Sequence, residues 1–132
     1  MIYVDTSVAL AHLLAEDRRP PDALWAEELV TSRLLEYELW NRLHARDLER
    51  SHEDVARLLL ARFSWVELHP DVLTRASRPF PVPVRTLDAL HLATLAFLRE
   101  RGRAVRLATY DQRMLRAAEA MGVEAAAILE MP

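Results

Sequence analysis

Short apolar runs alternate with amphipathic stretches along this 132-residue chain, and that alternation limits the fold more than any other feature. Such a pattern reads as strands joined by helices, which argues a parallel sheet covered on both faces. "MIYV" (1–4) is β-branched and aromatic, as a buried strand requires. "LVTS" (29–32), "WVELH" (65–69) and "AVRLAT" (104–109) read as the next three strands, and "VEAAAIL" (123–129) as a weak last one. Helices are expected over 7–17, 33–47, 51–63, 70–77, 85–102 and 110–122, with a short one after the Pro20–Pro21 break. Ser51 begins an S-x-x-D variant of the capping box. Val8, Leu10, Leu13 and Leu14 fall on one side of the first helix, and Leu35, Leu39 and Leu43 recur every four residues in the third. The strongest helix, "RTLDALHLATLAFLRERG", puts Leu87, Leu90, Thr94 and Phe97 on one face and Gly102 at its C-terminal cap. "RPFPVPV" (78–84) is a proline-spaced extended loop. No repeat or linker interrupts the pattern, so 1–132 is expected to form a single domain.

Composition removes several function classes. Hydrophobic residues make up 52% of the chain, which marks it as globular. No apolar run approaches the roughly 18 residues of a membrane span, and no basic segment precedes one as in a signal peptide. Cysteine is absent, so thiolate metal sites and disulfides are excluded and a reducing cytoplasm is the expected compartment. The net charge of −3 does not provide a global basic field for nucleic acid. All 17 basic residues are arginine. A Walker phosphate loop and a receiver-type phosphorylation site both need a lysine, and neither is available here. Gly102 and Gly122 are the only glycines, so a G-x-G-x-x-G dinucleotide turn is impossible.

Acids recur where strands end. Asp5 follows the first strand, Glu38 lies about a turn and a half beyond the second, Asp88 is in the first turn of the strongest helix, and Asp111 follows the fourth strand. A parallel sheet brings three of these four to one edge, where open α/β sheets place their ligands. Carboxylates sharing a cleft repel one another and raise their pKa values unless a cation neutralises them, and hard divalent ions prefer oxygen ligands. Each acid also has a structural reading: Asp5, or Thr6 beside it, accepts the free N–H groups of a first helical turn, as does an Asp at any helix start. Spacing alone leaves both readings open.

Four segments, "MIYVDTSVAL", "VTSRLLEYELWNRL", "RTLDALHLATLAFLRERG" and "VRLATYDQRMLRAAEAMG", resemble the signature blocks of the PIN-domain family, nearest to its VapC-type ribonuclease toxins. The similarity runs from Met1 to about Ala127, and "LDALHLAT" and "TYDQRMLRAA" are its most specific parts. It implies a PIN-like α/β/α sandwich whose central parallel sheet has four or five strands. By this resemblance Asp5, Glu38, Asp88 and Asp111 are the catalytic acids and the ligands of one or two Mg²⁺ or Mn²⁺ ions for endoribonuclease cleavage. The family's glutamate stands six positions after the serine ending the second strand, which selects Glu38 over Glu36 when counted from Ser32. Thr6 and Thr109 are expected as hydroxyls supporting the site, Thr109 through the family's T-x-D.

Other residues carry less. His91 lies one turn after Asp88 and could support a metal ligand from behind, yet a lone histidine on an apolar helix is ordinarily a satisfied core residue, so it is left out of the site. His12, His44, His52 and His69 share no metal-ligand spacing. Arg42, Arg85 and Arg113 are candidates for local phosphate contacts in RNA. Leu24, Trp25, Leu39, Trp40 and Leu43 form more apolar surface than one sheet face needs, the mark of an interface. The resemblance supplies the partners: a second copy, giving a homodimer, and a small antitoxin whose basic side chain enters the acidic site between Asp5 and Asp88. A haloacid-dehalogenase-like phosphatase also has an Asp after its first strand, but it needs a second Asp where this chain has Ser7, and a lysine. A catalytically inert PIN-like module that only binds protein or RNA is the alternative outside enzymology.

Overall fold

The computed structural model describes residues 1–130 and contains a four-stranded parallel sheet of order β3-β2-β1-β4. The strands are β1 (Ile2–Val4), β2 (Leu29–Ser32), β3 (Ser64–Val66) and β4 (Arg106–Ala108). The helices are α1 (Thr6–Leu13), α2 (Arg33–Ala45), α3 (Glu49–Leu60), α4 (Pro70–Ala76), α5 (Thr86–Glu100) and α6 (Gln112–Ala120). In register, Ile2 lies opposite Leu29 and Arg106, and Val30 opposite Ser64. The fold is thus of the expected α/β class, a four-stranded parallel sheet with helices on both faces.

The side-chain alternation of β1 divides the core. Ile2 and Val4 pack with Leu10, Leu35, Leu39, Leu43 and Leu59 from α1–α3, whereas Tyr3 packs with Leu92, Leu95 and Met114 from α5 and α6. A central strand between two helical layers has no solvated face, so a continuous apolar run suits it better than an alternating one. The two glycines close α5 and α6 in the same way. Gly102 and Gly122 have φ of +79° and +81°. Their N–H groups and those of the next residues return to the last-turn carbonyls of Arg99 and Leu98, and of Glu119 and Ala118. This is the Schellman arrangement, in which the left-handed residue is cheapest as glycine.

Several local expectations are corrected. The weak last strand reduces to one parallel bridge, Leu107 to Ala125, followed by a 3-10 turn over Ala127–Glu130. Its alanine-rich sequence brings little β preference to an edge. The short helix after Pro20–Pro21 is a 3-10 segment, Asp22–Ala26. The capping box at Ser51 does not form: α3 starts two residues earlier, and the Ser51 hydroxyl donates to the Leu48 carbonyl. On α5 the buried side runs through Ala89, His91, Leu92, Thr94, Leu95 and Leu98, while Leu87 is exposed, because packing on the sheet selects a different stripe. Leu24, Leu39 and Leu43 are fully buried and Trp25 and Trp40 half-buried against them, so the expected interface patch belongs to the core.

Leu39→Ala removes a side chain with no exposed surface beside Glu38. It should lower the unfolding free energy by about 2–5 kcal/mol in urea titration, the range for a buried leucine truncation. A loss below about 1 kcal/mol would show that α2 packs less tightly than described.

Candidate active site

Strand order places the site. β2 and β3 lie to one side of β1 and β4 to the other, so the carboxyl ends of β1 and β4 flank the point where the winding reverses. Crevices at such points are where open α/β sheets bind ligands. An acidic cavity of about 460 Å³ opens there, and Asp5, Glu38, Asp88 and Asp111 all line it, with Thr6, Ser7, His91, Glu16, Arg18 and Arg42. A larger groove of about 660 Å³ runs between α4, the proline-rich segment and α5, but Arg78 is its sole charged residue. It offers no acid–base chemistry.

Capping and lining are not alternatives here, because each carboxylate has two oxygens. Asp5 is the N-cap of α1, and its Oδ2 accepts from the Ser7 hydroxyl at 2.7 Å, the Thr109 hydroxyl at 2.8 Å and the Ser7 amide at 3.4 Å. Asp111 is the N-cap of α6, and its Oδ1 accepts from the amides of Arg113 and Met114. Glu38 Oε1 accepts from the Thr6 hydroxyl at 2.8 Å and lies 2.6 Å from His91 Nε2. Among the described residues, Asp5 Oδ1, Glu38 Oε2 and Asp111 Oδ2 receive no such bond. One oxygen of each acid is tied to the fold and the other is left for a ligand. Asp88, in the first turn of α5, has both oxygens untied among the described residues.

The Thr6 hydroxyl thus donates to Glu38 and the Thr109 hydroxyl to Asp5. Glu36 does not enter the cavity; it pairs with Arg33, which also pairs with Glu67 on the exposed side of α2. Arg42 lines the acidic cavity, and Arg85 and Arg113 line an adjoining one that shares Asp88. Three residues outside the expected site touch it. Ser7 binds Asp5 directly, and Arg18 reaches the cavity rim, 4.6 Å from the centre of the Tyr110 ring. His91 is buried and satisfied, as a core histidine should be, yet one of its partners is Glu38. The signal was its spacing, one turn after Asp88.

Electrostatics fits a hard cation. Partial burial, and then the charges of Asp111 and Asp5, push the Asp88 carboxyl above its ordinary value. Burial alone would lower the His91 pKa, but the Glu38 hydrogen bond and the charges of Asp5, Glu38 and Asp88 outweigh it and raise it. The donors are carboxylates, the class that suits Mg²⁺ and Mn²⁺. The carboxylates line the cavity without closing on one point: among the described residues no three Asp, Glu or His side chains form a ready ligand set. Since the folded-state pKa of Asp88 is raised, the folded form holds its proton more tightly than the unfolded chain. Its contribution therefore favours folding at acid pH and is lost as pH rises through the folded value. In chelator, Asp88→Asn should be more stable than the parent at neutral pH, with the difference shrinking in acid; a parent more stable at pH 7 would contradict this account of the charges.

The PIN domain family model matches residues 2–120. The chain is 32% identical over 129 residues to "Ribonuclease VapC47" of Mycobacterium tuberculosis (strain CDC 1551 / Oshkosh), covering 92% of this chain and 93% of that protein. It is 31% identical to "Ribonuclease VapC35" of the same strain, with 93% of each covered. The solved structure of PAE2754 from Pyrobaculum aerophilum superposes with a TM-score of 0.66 at 19% identity, over 98% of this chain and 86% of that one, and so shares the fold. With its sheet order, its acidic crevice and a family match over most of its length, the chain belongs to the PIN domain family.

Proposed function

We propose that this protein is a metal-dependent endoribonuclease, the toxin of a toxin–antitoxin pair, and that it hydrolyses RNA phosphodiester bonds at the acidic cavity. One observation carries the reading: the four candidate acids share one crevice with Glu16, and three of the four have one oxygen hydrogen-bonded to the fold and one without such a bond among the described residues. Membership of the PIN domain family and the ribonuclease names of its relatives support it.

Asp5, Glu38, Asp88 and Asp111 would hold Mg²⁺ or Mn²⁺. Held there, such an ion would supply Lewis-acid chemistry, activating a water and offsetting charge on the leaving oxygen. Thr6, Ser7 and Thr109 orient the carboxylates through their hydroxyl protons, so these hydroxyls hold ligands and are not poised as nucleophiles. Arg18 and Arg42 on one side of Asp88, and Arg85 and Arg113 on the other, are placed to hold neighbouring phosphates despite the acidic total. The antitoxin's arginine or lysine would enter between Asp5 and Asp88, neutralising the cluster in place of the metal. Cytoplasmic location and a homodimer belong to the same reading. The dimer rests on the resemblance, because Leu24, Leu39 and Leu43 are core.

An inert binding module is the competing reading, favoured by the absence of a closed ligand set among the described residues. Calorimetric titration separates the two: Mg²⁺ or Mn²⁺ should bind, and no heat with either ion favours the inert module. In a cleavage assay with Mg²⁺, Asp5→Asn or Asp88→Asn should lose more than the roughly 10–100-fold that follows loss of an outer contact to a metal site. Near-parental cleavage by either variant would sink the metal mechanism. Glu38→Gln should be far more damaging than Glu36→Gln, and the opposite ranking would reassign the glutamate.

A further inference from the structure

The residue that ties the acidic cavity to the middle of the fold is His91. It is 2% exposed, on the buried side of α5. Its Nε2 lies 2.6 Å from Glu38 Oε1 and 3.3 Å from the Thr6 hydroxyl, and its Nδ1 lies 2.6 Å from the Tyr3 phenol oxygen. Tyr3 has no exposed surface and sits in β1, two residues before Asp5. The ring stands edge-on to Tyr3, with 79° between the planes. Both of its nitrogens are therefore engaged, one by the core and one by a carboxylate of the cavity.

We infer that His91 is a positioning residue for Glu38, holding its Oε1 through an Nε2–H donor that is itself oriented by the Tyr3 hydroxyl. The chemistry fixes the direction of the chain. An ionised carboxylate accepts only, so the proton must lie on Nε2 facing Glu38. In the neutral ring Nδ1 then accepts from the Tyr3 hydroxyl, which is how such a partner fixes a tautomer. Thr6 donates to the same Oε1 from the start of α1. Two donors on one oxygen leave the glutamate little rotational freedom and direct Oε2 to the cavity. Glu38 comes from α2, on the opposite side of β1 from α5, so this hydrogen bond joins the two helical layers of the fold. Without it, a side chain of three rotatable bonds from a distant helix has only Thr6 to aim it.

This inference rests on the metal-site reading, and its test separates the two. Mn²⁺ affinity is measured by calorimetry for the parent, His91→Leu, His91→Gln and Tyr3→Phe, with folding checked by thermal unfolding in chelator. His91→Leu should weaken Mn²⁺ by roughly 10–100-fold, as loss of an outer partner to a ligand does. His91→Gln, which restores an N–H near the Nε2 position, should recover part of that loss. In a Glu38→Gln background His91→Leu should add little, because its target carboxylate is gone; an equal loss in both backgrounds would reduce His91 to a packing residue and overturn the inference. If His91→Leu does not fold, Tyr3→Phe and His91→Gln are compared with the parent, and unchanged affinity in both overturns it equally. A parent that binds no Mn²⁺ defeats the metal reading instead. The positioning claim is then decided by nitrogen-15 spectra of the imidazole, where a proton on Nε2 is expected and a proton on Nδ1 alone refutes it.

Discussion

Like-charge repulsion among four carboxylates is the constraint around which this end of the molecule is arranged. Asp5 and Asp111 cap two helices, Asp88 lies in the first turn of a third and Glu38 in the second turn of a fourth, and in a half-buried crevice their charges oppose one another. The fold answers chiefly with neutral donors: hydroxyls from Thr6, Ser7 and Thr109 and amides of the α1 and α6 N-termini, beside one imidazole whose proton affinity the acids raise. The hydroxyls and amides fix where the negative charge sits without cancelling it. A guanidinium in the same place would neutralise the cluster and remove its appetite for a cation. The arginines accordingly stand at the rim, at Arg18, Arg42, Arg85 and Arg113.

The same economy explains why β1 is both the centre of the sheet and the start of the site. Ile2 and Val4 serve one layer, Tyr3 serves the other, and Asp5 follows immediately at the crevice. Tyr3 is the core residue of β1 that also reaches a polar partner of the cavity, through His91. Packing on one side of the sheet is thereby coupled to a glutamate supplied from the other. Disturbing this strand reaches the chemistry through side-chain contacts that span only a few residues.

How much of this was legible in the sequence depended on the range of the interaction. The four strands and six helices follow from local apolar periodicity; Asp5 and Asp111 stand out by following strands, whereas Glu38 and Asp88 were picked out by the family resemblance. What escaped was set by tertiary contact. The stripe of α5 that is buried is decided by the sheet it meets, and Leu87 gave no local sign of lying outside it. Trp40 and Leu43 looked like surplus apolar surface because the packing of α3 against α2 has no signature in α2 itself. Ser7 was read only as a missing aspartate, although a hydroxyl two residues past an N-cap is well placed to bind that cap's side chain. His91 was the hardest case, since burial and function make the same demand on a histidine: that both nitrogens be satisfied.

The two Schellman glycines carry a consequence for how such a chain can diverge. They sit at the C-terminal ends of α5 and α6, whose N-terminal turns bear Asp88 and Asp111. Each helix is thus a strut with its carboxylate at one end and its backbone lock at the other, over 15 residues in α5 and 9 in α6. A change at the lock loosens the far end of the strut and leaves the near end held by its packing and, in α6, by the Asp111 cap. Mutational drift in this layer therefore has a safe end and a dangerous end, and loops appended beyond Gly102 or Gly122 can lengthen or change character without moving a ligand oxygen.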